Sequence, residues 1–380
     1  FESRLSNWIR IQRDTQGKEK TSEGLKKTIS YAFNLDSDDP APSDLARVLA
    51  EMAIGGPGVC ALRALTRTGA SMTEHGIRQA AFTVAEKFRS VFNQPDIAAI
   101  ISQEVEELPY WRKVLHYAIN GNFQAVLDEY THMLVESEGL QDLGAVEQAN
   151  RVAEKISGAV ALRSASSNVL NVSVDSGSQE EKAQMKIRSH FATAFGSNHS
   201  QEQGAARVSS VRDSFNSPFW PFVLVSTSVG QEGLDFHTYS HAVIHWNLPG
   251  NPVDLEQREG RVHRYKGHAV RKNIATAYGE KVNTSSGDPW KSMFEAAESF
   301  RPEGDDLINP YWVLSTPGGA KIERYVPTMP LSAESAHLER LRKTLAAYRL
   351  VMGQPRQDEL ISMLGEDVEW LRIDLSPPQL

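Results

Sequence analysis

Three arginines recur at intervals of three, Arg258, Arg261 and Arg264, within Gln257-Arg258-Glu259-Gly260-Arg261-Val262-His263-Arg264. Residues three apart share one face of a helix. Guanidinium forks on such a face suit the bidentate capture of phosphate or carboxylate oxygens. The same spacing also describes a solvated charged face. Upstream, Ser226, Thr227 and Ser228 are followed by Gly230, Gly233 and Asp235. Gly233 reads equally as a turn glycine, and Asp235 as a cap or an ion-pair partner of Arg258. His263 has no companion at metal-ligand spacing, so no metal site is read.

These side chains need a scaffold. Phe222 to Val225 is a compact apolar run ending in small polar residues, the pattern of a buried parallel strand. Ala242 to Trp246 reads as the next strand, with His245 and Trp246 in the core. Pro249, Gly250 and Pro252 break it. A helix is expected from near Val253, with Asp254 and Glu256 at the positive end of its dipole, running on into the arginine repeat.

In this order the parts resemble the last two motifs of superfamily 2 helicases and translocases. Ser226 to Asp235 is similar to motif V, and Gln257 to Arg264 to motif VI, whose pattern is Gln-x-x-Gly-Arg-x-x-Arg; the Arg-x-His-Arg ending resembles Swi/Snf-type translocases. The wording around 216–222 and 229–237 resembles a group of large bacterial helicase-like proteins. The likeness is specific over roughly 185–272. It implies a RecA-like second domain that supplies arginine fingers to ATP. Arg261 and Arg264 would be catalytic. Gln257, Gly233, Asp235 and Arg258 would lie on the nucleotide side, and Thr227, Ser228 and Gly230 on the nucleic-acid backbone. ATP and Mg2+ would be held mainly by an N-terminal RecA-like half, the expected partner. Nucleic acid is the other partner, DNA placed before RNA. The alternative is a degenerate RecA-like scaffold with no ATPase role; the spaced arginines argue against it. A small-molecule enzyme ranks last, since no nucleophile–base pair or paired carboxylates stand in a credible setting.

The chain has 380 residues, enough for two or three domains. Its formal charge of −8 excludes a surface uniformly coated for nucleic acid, yet from Gln257 to Lys272 six basic residues face Glu259 alone. One cysteine, Cys60, cannot form an intrachain disulfide, which points to a reducing cytoplasm and buried packing. No apolar run reaches the length of a membrane span. The chain opens on Phe1 and is read as a piece of a longer protein, inactive by itself because no phosphate loop is present. Gly55-Gly56-Pro57-Gly58 lacks the following Lys-Ser/Thr and is read as a turn.

The expected organisation is α/β. An α-helical module occupies 1–140, a RecA-like parallel-sheet domain 141–285, and a small α+β extension 286–380. Asp128-Glu129 mimics a magnesium-holding box but falls mid-helix, so it is read as a solvated face. Ile274 to Tyr278 suits one more strand. Tyr311–Thr316 and Ile322–Val326 suggest a hairpin around Pro317-Gly318-Gly319. Leu338, Leu341, Leu345, Tyr348 and Met352 form the stripe of a last helix.

Overall fold

The structure, a computed structural model, describes residues 43–67, 69–103, 108–160, 211–219, 221–226, 235–282, 287–301 and 308–351, and the backbone of 165–170 and 184–189. The chain divides into two units, Phe1–Ala50 and Glu51–Leu380. The boundary falls inside the first described helix, α1 (Leu45–Gly55), and the second unit holds all the other described elements.

Helices α2 (Pro57–Thr66), α3 (His75–Phe92), α4 (Pro95–Ser102), α5 (Tyr110–Asn120), α6 (Phe123–Ser137) and α7 (Ala145–Val160) form the helical part. The run read as a turn narrows to a break at Gly56, with Gly55 ending α1 and Pro57 opening α2; proline at N1 gives up no intrahelical bond. Leu65, Ile77, Val84, Phe88, Leu127, Val152 and Ile156 are buried in one core, so this core extends through α7. Cys60 lies in it, fully buried, with its thiol donating to the Ile54 carbonyl at 3.1 Å. Burial pushes that thiol up to about 11, the Arg63 charge opposing and Asp128 adding, so it is inert packing.

Strands β1 (Ala165–Leu170) and β2 (Gln184–Ser189) pair antiparallel. A helical turn follows at 211–215. Strand β3 (Ala242–Ile244) leads to α8 (Pro252–Gly260), which Asn251 caps by accepting from the Val253 N–H. Then come α9 (His268–Tyr278), α10 (Pro289–Ser299), capped by Asp288, β4 (Glu323–Tyr325) and α11 (Glu334–Val351). β4 pairs parallel with β3, the sole parallel pair among the described residues.

Several expectations change. Residues 221–226 join no ladder among the described residues, and Phe222, Val223 and Val225 are exposed rather than buried. Residues 274–278 belong to α9, not to a strand. Ala269, Val270, Asn273 and Ile274 fall on its buried side, and this helical spacing outweighs the short apolar run. The predicted hairpin does not close, because β4 finds β3 instead of 311–316. Trp246 lies outside the core, while His245 is buried as expected.

The turn before β4 is set by α9. Asn273 donates from Nδ2 to the carbonyls of Leu314 and Ala320, and its Oδ1 accepts from the Ala320 N–H at 2.7 Å. A Cβ on Gly319 would lie 2.6 Å from that Oδ1 and closer still to Thr316 Oγ1. Gly319→Ala is therefore expected to cost about 1–3 kcal/mol, read as a lower urea midpoint at unchanged m.

Candidate functional site

Helix α8 does not carry all three arginines on one face. It stops at Gly260, and the chain turns tightly, with the Val262 and His263 N–H groups both donating to the Glu259 carbonyl. Arg258 folds back to donate to the Asn247 carbonyl at 2.8 Å. Arg261 and Arg264, beyond the turn, both reach Asp235 Oδ1, at 3.9 Å and 3.1 Å. Asp235 thus pairs with these two rather than with Arg258. Gln257 is exposed on the last turn of α8.

Backbone stitching fixes this convergence. Phe236 N–H donates to the Arg261 carbonyl, and His268 N–H to the His237 carbonyl. Asn216 Nδ2 donates to the Asp235 carbonyl at 2.7 Å, while Phe215 and Phe236 meet edge to face. The segment 235–238 therefore lies along the arginine turn, with its carboxylate facing both guanidiniums. Arg261 Nε and Arg264 Nε are buried and have no hydrogen-bond partner among the described residues. Two converging forks with spare donor capacity suit an anion with several oxygens. Thr227, Ser228, Gly230 and Gly233 lie outside the described residues. Among the described residues, no group of three or more His, Cys, Asp or Glu side chains could hold a metal ion.

Behind the turn, Glu259 binds the scaffold together. It accepts from Nε2 of the buried His245 at 3.0 Å and takes both arms of the Arg324 fork from β4. Burial opposes the charge of this carboxyl, but the bonds from His245 and Arg324 outweigh it and hold the group down at about 2, from 4.5. His268, in the first turn of α9, is pushed from 6.5 down to about 3 by burial, then by the charges of Arg271, His241 and Lys272. Both shifts are depressions, so both contributions are present above the unfolded values and vanish on acidification. That of His268 is lost as pH falls from 6.5 toward 3, and that of Glu259 between 4.5 and 2. The melting temperature is expected to decline below pH 6.5, with His268→Gln flattening the upper part of that decline.

Residues 165–266 match the family described as helicase conserved C-terminal domain. The chain thus carries a helicase-like C-terminal domain, and the match includes Asp235, Gln257, Arg258, Arg261 and Arg264. No curated protein and no solved structure matches the chain. Helicase C-terminal domains imply a RecA-like α/β fold; the helix-rich described part, with its single parallel pair, fits loosely. No single helix among the described residues is long and apolar enough to cross a membrane.

The structure also brings together residues outside 165–266 whose partners sequence reasoning missed. Asp128 and Glu129 are not a solvated face. Asp128 is buried against Arg67, which donates to both its oxygens at 3.2–3.3 Å, and Glu129 accepts from Arg271 Nε at 2.7 Å. His132 lies 2.6 Å from Asp288, and Glu136 accepts from Lys266 Nζ at 2.5 Å. The available signal was the spacing of Glu129, His132 and Glu136, which share one face of the helix.

Proposed function

We propose that this chain is the C-terminal part of a nucleic-acid-dependent ATPase of the helicase or translocase kind, with Arg264 as arginine finger and Arg261 as its companion. The observation that carries the reading is the convergence of both guanidiniums on Asp235, with an unpartnered buried Nε on each. In phosphoryl transfer, charge spreads over the three equatorial oxygens of the γ-phosphoryl group that ATP supplies, and catalysis is mostly positioning and electrostatics. Arg264 and Arg261 provide bidentate positive charge for those oxygens. Asp235 lies within ion-pair distance of both forks. Gln257, exposed on the last turn of α8, and Gly233 are assigned to the nucleotide side. Arg258, held on the Asn247 carbonyl, fixes the end of α8.

ATP and Mg2+ would be bound mainly by an N-terminal RecA-like half carrying the phosphate loop. These 380 residues contain no Gly-Lys-Ser/Thr, so this part by itself is expected to be inactive. Thr227, Ser228 and Gly230 are assigned to the backbone of nucleic acid, DNA before RNA, with the salt dependence that phosphate contacts bring. The reading is tested by nucleic-acid-stimulated ATP hydrolysis in the full-length protein, wild type against Arg264→Ala. Stimulated hydrolysis that the substitution abolishes supports it. A wild type that binds nucleic acid but hydrolyses nothing leaves the degenerate RecA-like scaffold.

A further inference from the structure

Immediately beyond Arg264 the chain is held at one residue by several elements at once. Lys266 adopts a left-handed backbone, φ +48°, which a non-glycine residue keeps only where its surroundings impose it. Its N–H donates to the Tyr311 carbonyl at 2.7 Å, and its carbonyl accepts from Arg271 Nη1 at 2.7 Å. Its ammonium is buried, 2.5 Å from Glu136 and 3.2 Å from His132 Nε2, and lies 4.2 Å above the Phe294 ring. His132 is anchored in turn by Asp288 at 2.6 Å. Two turns earlier on α6, Glu129 takes Arg271, whose side chain is fully buried, packs over Tyr239 and donates to the Thr238 carbonyl. Gly267 N–H closes back on the Arg264 carbonyl at 3.0 Å. The arginine turn and the 235–238 segment that faces it are thus both tied to one face of a helix roughly 130 residues earlier in the chain.

We infer that α6 is the positioning element of the arginine site, with Glu136 and Lys266 as positioning residues that act through Arg264. The inference rests on the proposed function and deepens it: the helical module would be part of the machine that aims the finger. An unpaired buried charge is costly, so the chain has reason to keep Lys266 seated on Glu136. With Lys266 seated, the backbone two residues before it has little freedom, which is what a fork aimed at a phosphate requires. Without that seat the Arg264 side chain samples more orientations, and turnover falls while ground-state binding persists.

The test uses the full-length protein with Lys266→Met, which keeps the stem and removes the charge, and Glu136→Gln, which keeps volume and hydrogen bonding. Two readouts are taken. Amide exchange over residues 258–268 is expected to accelerate at least tenfold in Lys266→Met, with α2 and α7 unchanged. Stimulated kcat is expected to fall about tenfold in both variants with KM for ATP within twofold, and to fall no further when Lys266→Met is added to Arg264→Lys. Unchanged exchange over 258–268 overturns the positioning role whatever the protein's activity. Accelerated exchange with unchanged kcat, or a full tenfold loss on top of Arg264→Lys, overturns the action through Arg264. A protein with accelerated exchange in Lys266→Met but no stimulated hydrolysis in the wild type retains α6 as the support of the turn, and it is the proposed function that fails.

Discussion

Arg264→Ala in the full-length protein is expected to lower nucleic-acid-stimulated ATP turnover at least a hundredfold, with nucleic-acid binding retained. An arginine that stabilises the transferring phosphoryl group is worth about 10³–10⁵ in kcat. The lower figure is tempered here because Arg261 shares Asp235 Oδ1 with Arg264 and can cover part of the lost charge. The loss belongs in kcat rather than KM, since the contact is strongest in the transition state. Arg264→Lys is expected to recover little: an ammonium keeps the charge but not the planar fork that bridges two oxygens. Asp235→Asn separates two roles of the carboxylate. If Asp235 only parks the guanidiniums, freeing them leaves turnover within a few-fold of wild type. If it aims them, turnover falls toward that of Arg264→Ala. Stopped turnover in Arg264→Ala together with lost nucleic-acid binding would instead point to misfolding of the turn, which amide exchange over 258–268 would report. Turnover unchanged in Arg264→Ala removes this residue from the site.

The parts of the site legible in sequence were those written locally. Gln257 to Arg264 carries its spacing in its own residues, and α8 begins at Pro252, beside the Val253 start expected from sequence. What the spacing could not show is that α8 ends at Gly260, so that Arg258 parts from Arg261 and Arg264. The Glu259 side chain is drawn off to His245 and Arg324, groups supplied by β3 and β4. Asp235 was placed among candidates for an ion pair, but its partners depend on the 235–238 segment lying along the turn, a matter of tertiary contact. Asp128 and Glu129 failed for the same reason: a carboxylate on a helix looks solvated until Arg67 and Arg271 arrive from elsewhere in the chain. The strand expected at 274–278 failed on period, because a five-residue apolar run does not distinguish a strand from one face of α9.

Glu129→Ala is expected to destabilise the unit that contains it by about 3–5 kcal/mol, the usual cost of removing one partner of a buried pair and leaving the other charge uncompensated. The figure belongs to the upper part of that range because of the geometry. The Arg271 side chain is fully buried, its Nε points at Glu129, and its remaining arms are committed to the carbonyls of Lys266 and Thr238. No rotation brings the charge to water without giving up those bonds as well. Glu129→Gln keeps an acceptor for Nε and is expected to cost roughly 1–3 kcal/mol. The informative comparison is the double variant Glu129→Leu with Arg271→Met. Where a buried pair chiefly fixes geometry, replacing both members by apolar side chains restores much of the stability lost on breaking it. Recovery of the urea midpoint in the double variant, together with faster exchange over 258–268, would show that Glu129 and Arg271 serve to register the helical module on the arginine turn. Recovery without faster exchange would confine the pair to packing, and the aim of Arg264 would then depend on Lys266 and Glu136.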